Sequence, residues 1–192
     1  IWLRDAAGIL TRFGFDDELR ADAAETIDRL RQRGLTVTLL SGDREPAVRA
    51  IAQALGITDW QAGCLPQDKA ARLTAMSAAG RKVLMVGDGL NDAPALATAH
   101  VSMSPAGAAD IAQVAADFIA LGDRLGAVCD ALATARHSRR LVWQNFALAF
   151  GYNAVAIPLA MAGIVTPLIA AIAMSGSSIV VTLNALRLKW MS

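Results

Sequence analysis

Cysteine is nearly missing from this chain. Cys64 and Cys129 are the only two, too few and too far apart for a disulfide framework or a zinc site, and they fit a reducing compartment. An excess of positive charge is missing as well. Residues 1–140 hold 16 basic and all 17 acidic side chains, a net charge of −1 (16 minus 17), which gives no argument for nucleic-acid binding. The largest absence is of charge itself, because Leu141 to Leu186 contains no Asp, Glu, Lys, Arg or His. That gap raises the mean hydropathy to +0.41 and the hydrophobic content to 55%, both high for a soluble protein. The 192 residues suffice for one α/β domain of ordinary size plus something more. Opening on Ile1 rather than Met, the chain is expected to be the C-terminal piece of a longer protein.

What is present begins with short apolar runs alternating with helical patterns. Ile1-Trp2-Leu3 and Ile9 to Phe13 flank Asp5-Ala6-Ala7-Gly8 and read as a hairpin. Ala21 to Arg33 has helical periodicity and ends at Gly34, a C-cap candidate. Leu35 to Leu40 is a β-rich run stopping at Ser41-Gly42-Asp43, and Glu45 to Leu55 is helical again. A short strand is expected near Trp60-Gln61-Ala62, followed by a helix with Pro66 at its first position. Val83 to Val86 reads as a buried strand, and the segments around Ala95, Val101 to Met103, Ala108 to Ala115 and Phe118 to Leu121 continue the alternation. Strands separated by helices predict an α/β fold with a parallel sheet covered on both faces. Ligands of such sheets bind at the carboxyl ends of the strands. Ser41-Gly42-Asp43, Cys64 to Lys69 and Gly87-Asp88 all follow expected strands, so they should meet at one edge.

The stretch Gly87-Asp88-Gly89-Leu90-Asn91-Asp92-Ala93-Pro94 carries the sharpest chemistry. Its glycines allow a tight turn, and Asp88 and Asp92 stand four apart where Pro94 starts a helix. Two carboxylates beside open backbone form a hard-oxygen site suited to Mg²⁺, which keeps most of its waters and bridges to phosphate. Asp88 is the leading ligand, with Asp92 and Asn91 supporting the metal or the phosphate. Ser41 offers a hydroxyl and Gly42 a bare N–H to phosphate oxygens, and Lys69 adds a point charge near a helix N-terminus. Singly, each has a plainer explanation: Ser41 and Asp43 as caps, Lys69 as a solvated first-turn lysine. Their convergence on one sheet edge favours phosphoryl transfer. An aspartate nucleophile is not evident, since Asp5 and Asp43 sit in turns, and it is expected on a strand upstream of Ile1.

Asp123 to Arg140 reads as an amphipathic linker helix with Leu125, Val128, Leu132 and Ala135 on its apolar stripe. It leads into Leu141 to Gly163, long enough to cross a bilayer, which needs about 20 apolar residues. Residues 164–167 form a turn and 168–188 a second span. A buried hairpin in a soluble protein is the alternative, though so long a charge-free stretch is hard to place in such a core. Arg136, His137, Arg139 and Arg140 precede the spans and Arg187 and Lys189 follow them. Both ends, with the hydrophilic domain of residues 1–122, are therefore expected in the cytoplasm. Tyr152 and Asn153 lie within the first span, and Met174 and Ser178 share a face of the second. Sulfur and neutral oxygen or nitrogen suit a soft monovalent ion such as Cu(I). The alternative is helix–helix packing through the small residues Ser175 to Ser178.

Leu40 to Asp43, Pro66 to Lys69 and Gly87 to Leu96 closely resemble the phosphorylation domain of P-type ATPases, within the haloacid-dehalogenase-like superfamily. The resemblance covers essentially the whole chain. It implies a Rossmann-like parallel-sheet domain followed by a transmembrane hairpin, Mg²⁺ and ATP as cofactors, and a multi-pass location in the inner or plasma membrane. It also implies that the phosphorylated aspartate, the nucleotide-binding domain, the actuator domain and earlier membrane helices lie upstream. The family usually has Thr where Ser41 stands, which keeps the hydroxyl, and often Pro where Ala21 stands. Tyr152-Asn153, Met174 to Ser178 and Asn184 to Leu188 resemble the last two helices of copper(I)-exporting members. Zinc and cadmium exporters carry charges there, and this chain has none. His100 to Pro105 resembles the branch tied to cytochrome oxidase assembly. Copper and a copper chaperone are then the expected partners, with the remaining domains of the full-length ATPase. The Cys-Pro-Cys motif of the copper site is not in this chain, and this piece alone is expected to be inactive. A membrane-tethered phosphatase and a truncated non-catalytic module remain as alternatives.

Overall fold

A computed structural model describes residues 2–4, 8, 10–12, 18–88, 90–108, 110–122 and 124–187. The chain divides into two compact units, residues 1–128 and 129–192. In the first, β1 (Trp2–Arg4) and β2 (Leu10–Arg12) pair antiparallel with Trp2 opposite Arg12, as expected of a hairpin. The turn residues Asp5 to Ala7 lie outside the described residues. Then come α1 (Ala23–Gln32), β3 (Thr38–Leu40), α2 (Glu45–Ala54), β4 (Asp59–Gln61) and α3 (Pro66–Ala78). After β5 (Leu84–Val86) a single 3-10 turn, Leu90–Asp92, opens α4 (Ala93–Thr98). The unit closes with β6 (Val101–Pro105), α5 (Asp110–Ala115) and β7 (Phe118–Ala120).

β3 is shorter than its β-rich run because the helix before it uses the leading residues. Gly34, at φ +76, takes the left-handed conformation that closes α1, so the Gly34 N–H reaches the Arg31 carbonyl at 2.8 Å. The Leu35 N–H reaches the Leu30 carbonyl at 3.2 Å and is lost to the sheet. The α4 and α5 helices are only six residues each, shorter than ordinary crossover helices. They suffice because the strands they connect are adjacent: β5, β6 and β7 form one parallel sheet in that order.

The expected single sheet is two sheets here. β3 and β4 pair parallel, Thr38 opposite Asp59, and no ladder joins them to β5–β6–β7 among the described residues. Leu39 and Leu40 of β3 and Met85 and Val86 of β5 line one cavity between them. Beside β3 and β4, Ile27, Ala52 and Ile57 form a core with Val37, Leu39, Leu55 and Trp60 packed on it. On the other side α3 packs on α4, where Leu73, Ala95 and Leu96 are buried.

The second unit is helical. Helix α6 (Ala127–Met161) runs through 35 residues, beginning later than the expected Asp123, a residue outside the described set. It ends at Gly163, φ +73, whose N–H caps the Ala160 carbonyl at 3.0 Å. Helix α7 (Pro167–Leu186) follows, its start capped by the Thr166 hydroxyl. Among the described helices α7 alone is long and apolar enough to cross a membrane. The charge-free part of α6, expected to be a first span, falls short of that measure because the helix carries Gln144, Asn145, Tyr152, Asn153 and Pro158. Large apolar side chains are exposed on both helices, Phe150 at 78% and Leu168 at 70%, and α7 buries no residue. Asn184 links the pair, its amide donating to Asn145 Oδ1 at 2.9 Å and Gln144 Oε1 at 3.4 Å.

Candidate functional site

The cavity between the two sheets measures about 550 Å³. Ser41, Gly42, Asp43, Lys69, Asp88, Asn91 and Asp92 all line it, so the structure brings together the seven phosphate-side residues that the sequence singles out. Gly89 of the same motif lies outside the described residues.

Each loop is held there by local bonding that continues its strand. Beyond β3, the Ser41 N–H donates to the Gln61 carbonyl at 3.0 Å and the Cys64 N–H to the Ser41 carbonyl at 2.9 Å. The Gly63 N–H reaches the Asp43 carbonyl at 2.9 Å. Inside the loop, the Ser41 hydroxyl donates to Asp43 Oδ2 at 2.8 Å and accepts from the Asp43 N–H at 3.1 Å. Ser41 and Asp43 thus cap each other rather than the following helix, whose N-cap is Arg44 with no side-chain bond. Gly42 lies so close to the next loop that a Cβ would meet the Cys64 carbonyl oxygen at 3.3 Å.

Lys69 sits in the first turn of α3, where Asp68 Oδ2 accepts the Leu65 N–H at 2.9 Å and fixes the helix start. Its Nζ lies 2.6 Å from Asp92 Oδ1, with side-chain exposures of only 9% and 13%. The sequence offers Lys69 as a solvated lysine or a phosphate ligand; the structure buries it in an ion pair at the cavity wall. Gly87 makes room for this pair. Its N–H donates to the Met103 carbonyl at 3.2 Å, and an added Cβ would fall 2.7 Å from Asp92 Cβ and 2.9 Å from Asp92 Oδ2.

Asp88 differs from Asp92. Its side chain is 66% exposed, and Arg20 Nη2 stands 3.9 Å from Oδ2. It is the carboxylate free to take a hard cation, while Asp92 is engaged by Lys69. No group of three or more His, Cys, Asp or Glu that could cage a metal occurs among the described residues. The turn after β5 therefore offers Asp88, Asp92 and the Asn91 amide, with the third carboxylate of the cavity, Asp43, engaged by Ser41, a donor set that fits Mg²⁺ retaining waters and sharing a phosphate oxygen, and not a closed protein cage.

Cys64, on a loop the sequence brings to this edge, also lines the cavity, as do Arg20 and Arg124, which the sequence does not single out. Arg20 precedes α1 and Arg124 follows β7, so no local pattern joins them to the other loops. Burial pushes the Cys64 thiol above its usual value, with Lys69 pulling partly the other way. It is a poor nucleophile there.

The membrane-side residues are arranged otherwise. Asn153 donates to the Ala149 carbonyl at 3.0 Å and Ser178 to the Met174 carbonyl at 3.1 Å, each within its own helix. Met174 is 69% exposed and Tyr152 half-buried. No hydrogen bond links Tyr152 or Asn153 to Met174 or Ser178 among the described residues.

A family model for haloacid dehalogenase-like hydrolases matches residues 3–100. The nitrogen fixation protein FixI of Rhizobium meliloti is 52% identical over 180 residues, covering 94% of this chain and 24% of the relative. The probable copper-transporting ATPase SynA of Synechococcus elongatus is 43% identical over 199 residues, covering 99% of this chain and 25% of the relative. Among solved structures, a zinc-transporting PIB-type ATPase in its E2.Pi state matches with a TM-score of 0.83 and 34% identity, over 90% of this chain and 28% of that one. The chain spans about a quarter of the length of the curated relatives it matches.

Proposed function

The chain belongs to the haloacid dehalogenase-like hydrolase family, and from that premise we propose that it is part of a copper(I)-exporting P-type ATPase. The observation that supports this most is the convergence of the Ser41 loop, Lys69 and the Gly87–Asp92 turn on one cavity at the carboxyl ends of parallel strands. In this reading Ser41 turns its hydroxyl from Asp43 to an oxygen of the transferring phosphoryl group, and Gly42 donates its N–H to another. Lys69, oriented by Asp92, places a fixed positive charge beside it, and Asp88 holds Mg²⁺ with Asn91 and Asp92 in support. The metal, when bound, offsets charge developing on the phosphoryl oxygens. The nucleophilic aspartate comes from the rest of the full-length protein, on a strand entering the gap between β3 and β5, and ATP is the phosphoryl donor.

Leu141 to Gly163 and Leu168 to Leu186 form a membrane hairpin with both ends on the cytoplasmic side. Copper(I) is the cargo, and Tyr152, Asn153, Met174 and Ser178 contribute to its path. The lack of any charged side chain between Leu141 and Leu186 supports a soft monovalent ion over one held by carboxylates. A copper chaperone is the proposed source of the ion.

The test uses the full-length protein in membranes with radiolabelled ATP, Mg²⁺ and Cu(I). An acid-stable, hydroxylamine-labile phosphoenzyme is expected, and Asp88→Asn should lower it at least about 100-fold, the scale of removing one electrostatic contact from a phosphoryl-transfer site. Phosphomonoester hydrolysis without a phosphoenzyme from ATP would make the protein a membrane-tethered phosphatase instead.

A further inference from the structure

Asp22 occupies the N-cap position of α1, yet its side chain makes no capping hydrogen bond there. An aspartate at this position ordinarily accepts an N–H from its own first turn. Here the carboxylate turns to residues more than a hundred positions on, accepting the Gly126 N–H at 2.8 Å and the Leu125 N–H at 3.3 Å. These are the two residues directly before Ala127, the first residue of α6. The approach is close on both sides. Gly126 is buried, and a Cβ there would stand 3.3 Å from Asp22 Oδ2, 3.4 Å from Arg124 Nη2 and 3.7 Å from Thr26 Oγ1.

We infer that Asp22 is a positioning residue, a latch that fastens the start of α6 to the start of α1 through the Leu125 and Gly126 amides. The free N–H groups that open a helix carry partial positive charge, so a carboxylate against them satisfies donors and opposes the helix dipole at once. Charge-assisted bonds of this kind are stronger than neutral ones. Consistent with this, the Gly126 amide above all holds the Asp22 carboxyl below the usual carboxylate range, against a burial that pushes it up, with the Leu125 amide and Arg124 assisting. Arg124 also lines the phosphate cavity, so the latched segment begins at the cavity wall and ends at the first turn of the long helix. The latch fixes where that helix departs, and its role in turnover rests on the ATPase reading proposed above.

The test compares the full-length wild type with Asp22→Ala, Asp22→Asn and Gly126→Ala. In Asp22→Ala, amide hydrogen exchange across residues 124–128 should accelerate about tenfold, on the scale of losing a charge-assisted hydrogen bond. Asp22→Asn keeps one acceptor oxygen and should fall between. Gly126→Ala attacks the same contact from the other side and should match Asp22→Ala. In activity, Asp22→Ala should lower Cu(I)-stimulated ATP turnover about tenfold while phosphorylation from inorganic phosphate stays within about twofold. Unchanged exchange at 124–128 in Asp22→Ala and Gly126→Ala overturns the latch. An equal fall in turnover and in phosphorylation from inorganic phosphate overturns its positioning role, because it marks general damage to the domain. If the wild type forms no phosphoenzyme at all, the ATPase reading fails, and the exchange arm still decides the latch.

Discussion

The Lys69 and Asp22 contacts of the first unit and the polar side chains along the helices of the second find their partners at different ranges. In the first, the side chains around the cavity reach across the fold: Lys69 to Asp92 over 23 residues, Asp22 to Gly126 over 104. In the second, Asn153, Ser177, Ser178 and Thr182 bond carbonyls three or four residues back in their own helices. Among the described residues only Asn184 bonds from α7 to α6. A site built from long-range contacts is preorganised, with Lys69 and Asp92 already holding each other. Side chains folded back on their own helix leave the backbone satisfied in an apolar medium, and they must give up those bonds, or add to them, to take a ligand. The cavity residues are brought together in this chain; Asn153 and Ser178 bond within their own helices instead.

The comparison breaks most visibly at the buried pair. Lys69→Met leaves Asp92 buried without its cation and should cost about 3–5 kcal/mol, whereas Lys69→Met with Asp92→Asn should recover part of that loss. Hydrogen exchange of residues 84–99 in the full-length protein reads both effects. Equal protection in Lys69→Met and wild type would mean that the pair does not organise the cavity.

Next in size is Gly87→Ala. Its Cβ would press on Asp92 Cβ at 2.7 Å, an overpacking expected to cost about 1–3 kcal/mol and to displace Asp92 from Lys69. Phosphoenzyme formation should fall with it; a variant of full activity would show that the turn yields freely.

The membrane side should be softer. Asn184→Ala removes the polar link between α6 and α7 seen among the described residues, worth about 0.6 kcal/mol and at most about 1.7. A double-mutant cycle with Asn145→Ala isolates the term. A coupling near zero would leave the helices paired by packing alone.

Smallest in stability, and most informative about cargo, is Met174→Leu. The swap nearly conserves volume, so folding should change by under about 1.5 kcal/mol. Cu(I)-stimulated phosphorylation from ATP should nonetheless be lost while phosphorylation from inorganic phosphate persists. Full copper stimulation at unchanged affinity would assign Met174 to packing.

Much of the fold is legible locally. Every strand and helix of the first unit falls within a few residues of its sequence pattern, because alternation, helical period and a closing glycine such as Gly34 are properties of short segments. The exceptions have local causes too: Leu35 serves the cap of α1 and not β3. Of the site, the loops Ser41 to Asp43, Cys64 to Lys69 and Gly87 to Asp92 can be found from their spacing and chemistry, but Arg20 and Arg124 cannot. They enter the cavity through the fold and not through any motif.

What the sequence determines by itself is the order of elements, the charge-free stretch from Leu141 to Leu186 and the chemical types gathered after β3, before α3 and after β5. These follow from composition and short-range periodicity, which the chain carries whatever it packs against. The tertiary structure decides that Lys69 is spent on Asp92, that Asp88 keeps an exposed carboxylate where Asp92 does not, that Gly87 must lack a side chain and that Asp22 serves α6 instead of α1. Each of those outcomes depends on which distant segments meet. Distance along the chain holds no record of that meeting, because a buried charge or an N–H takes whichever partner the fold brings within bonding range.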